Sequence, residues 1–193
     1  TLGIVTGVSI LTPPKPQSVH VAYFGCHNFD SVRQLFGRAK NELGEILSAV
    51  EFEDRPSLDM VLKHISGARD PFNNPYPFYV LIETSGSNQS HDEEKLNSFL
   101  EKLMSGGELI GDGTVAQHET QRAELWKLRE SVSESLQRDG VVYKYDISLP
   151  LAKFYDIVSD MRSRLGSEAI VVGYGHVGDG NLHLNITTKQ YNK

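Results

Sequence analysis

The apolar and polar positions switch repeatedly between a two-residue and a three-to-four-residue period, and each switch marks an element. Residues 2–11, rich in Val, Ile and Thr and punctuated by Gly3 and Gly7, read as an extended segment. The run Thr12-Pro13-Pro14-Lys15-Pro16 ends it. Its prolines remove amide donors and hold the path extended, as a rigid connector requires. Residues 19–24 then read as a strand, and Asn28 is placed to cap a helix carrying Leu35, Ala39, Leu43 and Leu47 on one stripe. Residues 47–52 predict a short strand, Ser57 the cap of an amphipathic helix ending near Gly67, and 78–84 the clearest strand of the chain. A polar Ser85-Gly86-Ser87-Asn88 loop leads to a helix over 91–104, and 108–115 reads as extended. Residues 119–138 predict one long helix with Leu125, Leu128, Val132 and Leu136 on a stripe. Residues 141–149 alternate as a strand and Pro150 opens a helix to Leu165. Residues 170–175 and 182–187 are strands flanking a Gly-Asp-Gly-Asn turn.

No repeat of fixed period is present. Strand–helix alternation alone is also compatible with a parallel βαβ sheet. The terminal hairpin, and the lack of glycine-rich strand-to-helix turns, favour an α+β fold: a mainly antiparallel sheet with helices packed on one face. The chain divides into residues 1–16, a terminal strand of a neighbouring domain plus the proline connector, and residues 17–193, one compact domain. Because it opens at Thr1 inside strand-like sequence, the chain reads as a fragment.

Composition narrows the classes. A hydrophobic fraction of 39% with 23% charged residues is that of an ordinary globular protein. A net charge of −6, with no basic run longer than residues 162–164, argues against nucleic acid, which needs a concentrated cationic face. No stretch is apolar for long enough to span a bilayer. Cys26, the one cysteine, cannot form an internal disulfide and reads as a small buried side chain.

The densest candidate chemistry is Gly173-Tyr174-Gly175-His176-Val177-Gly178-Asp179-Gly180-Asn181-Leu182-His183-Leu184-Asn185. If its two strands pair across the turn, His176 and His183 converge, and two imidazoles suit a divalent metal with zinc the leading candidate. His183 and Asn185, two apart, share a strand face. The same histidines read equally as solvent-exposed turn residues, since a zinc ion takes about four ligands. Asp179 is either a further acid or a turn-former, and His20, His27, His64, His91 and His118 read as surface or cap residues. A second set is cationic. Arg129 and Ser133 lie four apart on the long helix, with Trp126 a turn earlier on an overlapping face, and Lys144 sits in the following strand. A guanidinium, an ammonium and a hydroxyl suit a carboxylate. The ordinary alternative is a charged surface with Arg129 paired to Glu130 or Glu134.

The Gly-His-Val-Gly-Asp-Gly-Asn-Leu-His-Leu-Asn string resembles the signature of the C-terminal domain of FAD-linked oxidases of the vanillyl-alcohol oxidase type. Leu125-Trp126-Lys127-Leu128-Arg129-Glu130 and Asp139-Gly140-Val141-Val142-Tyr143-Lys144-Tyr145-Asp146-Ile147-Ser148-Leu149-Pro150 are most similar to the mitochondrial D-2-hydroxyglutarate dehydrogenases of that family. Thr1-Leu2-Gly3-Ile4-Val5-Thr6 resembles the last strand of the family's FAD-binding domain. The resemblance implies a ferredoxin-like substrate domain and FAD as cofactor, with Gly3, Ile4 and Val5 passing it. It implies zinc on His176 and His183, and Arg129, Ser133, Lys144 and Asn185 on the carboxylates of a small 2-hydroxy-dicarboxylate. Ser133 stands where family members often have Thr, and the hydroxyl is kept. A third ligand, a Glu, and a neighbouring His as general base are expected beyond Lys193, so the catalytic set is incomplete and the fragment alone is expected to be inactive. Hydride would pass to FAD and then to an electron-acceptor protein, in the mitochondrion. D-lactate or glycolate oxidation by the same chemistry is the nearest alternative. A non-catalytic α+β ligand-binding module is the alternative of another class, and no His-Glu-x-x-His pattern supports a zinc hydrolase.

Overall fold

The computed structural model describes residues 3–12, 15–106 and 109–191. Their first half runs β1 (Ser18–Cys26), α1 (Phe29–Glu42), β2 (Leu47–Asp54), α2 (Arg55–His64), β3 (Phe78–Gly86), α3 (Gln89–Gly106) and β4 (Asp112–Val115). The second half runs α4 (Glu119–Glu130), α5 (Val132–Asp139), β5 (Val141–Ser148), α6 (Asp156–Leu165), β6 (Ile170–His176) and β7 (Asn181–Thr188). The strands form one sheet in the order β4-β1-β3-β2-β6-β7-β5, and every neighbouring pair is antiparallel. The expected α+β class with an antiparallel sheet is what forms.

One feature differs from expectation: helices cover both faces of the sheet. Period-two alternation explains it, because the central strands are apolar at odd and even positions alike. On β1, Ala22, Phe24 and Cys26 pack with α1, α3 and α6, while Val21 and Tyr23 pack with α2, α4 and α5. On β2 and β7 the second face is different. Val50, Phe52, Leu182, Leu184 and Ile186 point to the first core, leaving Glu51, Glu53, His183 and Asn185 on the α4–α5 side. The sheet thus carries a polar island on one face, roofed by helices.

Local signals set most boundaries. Asn28 caps α1 as expected, its Oδ1 accepting from the Ser31 amide at 2.8 Å. The next helix is capped by Asp54 rather than Ser57. Asp54 Oδ1 accepts from the Ser57 amide and hydroxyl at 3.0 and 2.7 Å, and Pro56 fits the first turn, where no amide donor is needed. The predicted long helix is interrupted at Ser131, whose ψ of −3° departs from helical geometry. Residues 151–153 form a 3-10 turn before α6 begins. The segment expected as a strand of a neighbouring domain finds no partner in this sheet. Residues 3–12 have no regular structure, and Ile4, Val5, Val8, Ile10 and Leu11 are exposed. A strand needs a partner ladder, and none of the sheet's strands pairs with this segment. Thr1, Leu2, Pro13 and Pro14 lie outside the described residues.

Asp54 also fixes β6. Its Oδ2 accepts from the Gly173 amide at 2.7 Å, Arg162 Nη2 at 2.6 Å and the Tyr155 hydroxyl at 2.9 Å, and the residue is fully buried. Burial pushes the Tyr155 hydroxyl far above its ordinary pKa, so it serves as a donor.

Candidate functional site

The β6–β7 hairpin pairs His176 with Asn181 and Tyr174 with His183. Residues 174, 176, 183 and 185 therefore share one face, the one roofed by α4 and α5. Close strand approach is essential at Gly175: at φ 151° a Cβ there would lie 2.4 Å from the Asn181 carbonyl oxygen. The turn holds Asp179, whose carboxylate accepts from the Asn181 amide at 3.1 Å, so it is the turn-former of the two readings.

The two imidazoles converge. Their Nε2 atoms are 3.2 Å apart and the rings meet edge to face at 81°. His176 Nδ1 lies 2.6 Å from Glu51 Oε1, contributed by β2 directly opposite. Burial, followed by the positive Arg129, lowers the His183 pKa, which keeps that ring neutral with a lone pair available. The donor set fits zinc as far as it goes. Two nitrogens about 2.0–2.1 Å from one tetrahedral ion stand roughly 3.3 Å apart. Among the described residues no group of three or more His, Cys, Asp or Glu side chains could hold an ion, so this pair offers two ligands.

Beside the pair lies a cavity of about 310 Å³ lined by Arg129, Glu130, Ser133, Lys144, Tyr145, Asp146, Tyr174, His183 and Asn185. That volume falls at the small end of the usual range for ligand sites. All four side chains expected to hold carboxylates thus meet in one place, although Ser131 breaks the helix that carries two of them. Arg129 is buried, and its Nη2 sits 2.9 Å from Glu51 Oε2. Its guanidinium carbon lies 4.8 Å from the Tyr174 ring centre, a cation–π contact. Arg129 Nε is buried without a hydrogen-bond partner. Lys144 Nζ donates to Ser133 Oγ at 2.7 Å, and Asn185 Nδ2 donates to the Tyr174 hydroxyl at 2.7 Å.

Several readings change. Arg129 pairs with Glu51 rather than with Glu130 or Glu134, and Glu134 pairs with Arg138 instead. Trp126 does not line the cavity; its Nε1 donates to Glu83 at 2.8 Å. Gly3, Ile4 and Val5, expected beside FAD and not in this cavity, are exposed. His118 caps α4, as a cap reading expects. Glu51, Tyr174 and Glu53 were missed. Their signal was present in Val50-Glu51-Phe52-Glu53-Asp54, where acids alternate with apolar residues inside a strand. Glu53 is fully enclosed, accepts from the Tyr23 hydroxyl at 2.7 Å, and burial pushes its pKa up to about 7.

The antiparallel sheet thus carries a polar island of paired imidazoles beside an arginine–lysine cavity. Residues 15–193 match the family described as FAD linked oxidases, C-terminal domain, and the chain belongs to that family. Within it, the chain is 52% identical over 192 residues to the mitochondrial D-2-hydroxyglutarate dehydrogenase of Arabidopsis thaliana, covering 100% of this chain and 34% of that protein. It is 53% identical over 192 residues to the mitochondrial D-2-hydroxyglutarate dehydrogenase of Bos taurus, covering 99% of this chain and 35% of that protein. The chain therefore spans about a third of the length of these relatives. Among solved structures, an alkyldihydroxyacetonephosphate synthase shares the fold, with a TM-score of 0.61 at 16% identity over 91% of this chain and 37% of that one.

Proposed function

We propose that this chain forms the substrate-binding side of a FAD-dependent dehydrogenase that oxidises D-2-hydroxyglutarate to 2-oxoglutarate. The observation that carries the reading is the meeting of Arg129, Ser133, Lys144 and Asn185 in one cavity beside the His176–His183 pair. High identity to two proteins named for this substrate supports it.

The distal carboxylate would lie between Lys144 and Arg129, with Ser133 and Asn185 adding donors. Glu51 already offsets the Arg129 charge, and Lys144, hydrogen-bonded to Ser133, adds an ammonium that a carboxylate would pair with, although Glu130 and Asp146 also line the cavity. A monocarboxylic acid such as lactate would leave these groups without a carboxylate partner, which is unfavourable wherever the bound substrate shields them from water. His176 and His183 would hold zinc, with a further ligand supplied from outside the described residues. When bound, zinc polarises a 2-hydroxyl and lowers its pKa, and FAD accepts a hydride. Exposed Ile4 and Val5 fit a segment covered by another body, in keeping with Gly3, Ile4 and Val5 lying against the flavin. The general base would come from outside these residues, and reduced flavin would pass its electrons to an acceptor protein. The relatives are named as mitochondrial, which supports a mitochondrial location.

The test is turnover by the full-length protein, with bound flavin, of D-2-hydroxyglutarate and D-lactate side by side. Preference for the dicarboxylate is expected; a flavin-free protein, or equal kcat/KM for both acids, would defeat the reading.

A further inference from the structure

The carboxylate of Glu51 touches both halves of the site at once. It is 5% exposed and stands on β2, opposite His176 in register. One oxygen lies 2.6 Å from His176 Nδ1 and the other 2.9 Å from Arg129 Nη2. His183 has no equivalent support, because Asp146 Oδ2 is 3.7 Å away on a largely exposed side chain. The pair is therefore asymmetric, one ring locked and one loose.

We infer that Glu51 is a positioning residue that fixes the His176 tautomer for metal binding while its second oxygen faces the Arg129 guanidinium. A buried carboxylate accepting from Nδ1–H holds the proton on that nitrogen and leaves the Nε2 lone pair facing His183. The same carboxylate orients Arg129, which in turn lies on the Tyr174 ring. Through one side chain, the imidazole that would ligate the ion and the guanidinium that would bind the distal carboxylate keep a fixed separation. This rests on the zinc and substrate reading proposed above.

The experiment is zinc affinity of the full-length protein, by competition with a fluorescent chelator, in wild type, His176→Ala, Glu51→Gln and Arg129→Gln. Glu51→Gln and Arg129→Gln both break the same buried ion pair, so a purely structural effect lowers zinc affinity in both. Positioning through His176 lowers it in Glu51→Gln alone, by about 10–100-fold, the usual loss when the partner of a ligating histidine is removed. Should Glu51→Gln fail to fold, Glu51→Gln with Arg129→Gln removes the uncompensated cation and is read the same way. Wild-type affinity in whichever Glu51 variant folds, or an equal loss in Arg129→Gln, overturns the inference. If wild-type protein holds no zinc that His176→Ala removes, the zinc reading itself fails and the inference falls with it.

Discussion

Lys144 and Asn185 face each other as register partners across β5 and β7, and both line the same cavity. Neither depends on the α4–α5 roof for its position, because the ladder of a seven-stranded sheet holds both Cα atoms. Lys144→Met keeps the stem and removes the charge. A hydrogen bond to a charged group contributes about 1.5–3 kcal/mol, so kcat/KM for D-2-hydroxyglutarate should fall by about 10–100-fold. D-lactate turnover in the same variant should hardly move. Steady-state kinetics on both acids checks this, and a parallel loss on both would remove Lys144 from the distal subsite.

Asp54 joins the start of α2 to the middle of β6 and to Arg162. Asp54→Ala should destabilise the fold by about 3–5 kcal/mol, the cost of removing one partner of a buried ion pair. Asp54→Asn keeps one acceptor oxygen, for either the Ser57 or the Gly173 amide but not both, and should cost less than Asp54→Ala. Urea denaturation of this chain measures both. A shift of under about 1 kcal/mol for Asp54→Ala, the scale of an exposed ion pair, would show that α2 and β6 are held by packing alone.

Glu53 predicts a pH dependence with a definite sign. Burial raises its pKa to about 7, so between the ordinary carboxylate range and pH 7 the folded chain binds a proton that the unfolded chain has released. Its contribution is complete below the unfolded pKa and is lost as pH rises through the folded one. Wild-type stability should therefore fall from pH 5 to pH 8 relative to Glu53→Gln, by on the order of 3 kcal/mol. Denaturation midpoints at several pH values test it, and identical pH profiles for the two proteins would refute it.

The sequence made the elements legible where one signal dominated. Continuous apolar runs marked β1 and β3, alternation marked β5, and Asn28 marked the start of α1. The second helical face was hidden because β1 and β3 are apolar on both sides, which periodicity alone does not distinguish from a one-sided sheet with a few buried outliers. Arg129, Ser133, Lys144 and Asn185 were named from residue chemistry and family likeness, and the fold brings them together. Glu51 escaped because its partners, His176 and Arg129, are remote in sequence. A pairing of that kind depends on strand order, in which β2 lies beside β6. Residues 2–11 were read as a strand of a neighbouring domain because Val, Ile and Thr favour extended backbone, and this chain's own sheet offers residues 3–12 no ladder partner.

Arg129 separates charge from geometry at the site. Its guanidinium contacts Glu51, lies over Tyr174 and leaves a buried Nε unpartnered. Arg129→Ala removes all of this and strands the Glu51 carboxylate in a dry environment. It should lose about 3–5 kcal/mol of stability, and kcat/KM for D-2-hydroxyglutarate should drop by 10²-fold or more, about 3 kcal/mol of transition-state binding. Arg129→Lys keeps a cation for Glu51 but gives up the planar fork, so most of the stability should return while the kinetic defect stays. Paired denaturation and steady-state measurements on the two variants decide the matter. Full kinetic recovery in Arg129→Lys would mean that the cavity needs only charge at this position, and unchanged kinetics in Arg129→Ala would place the substrate carboxylate elsewhere.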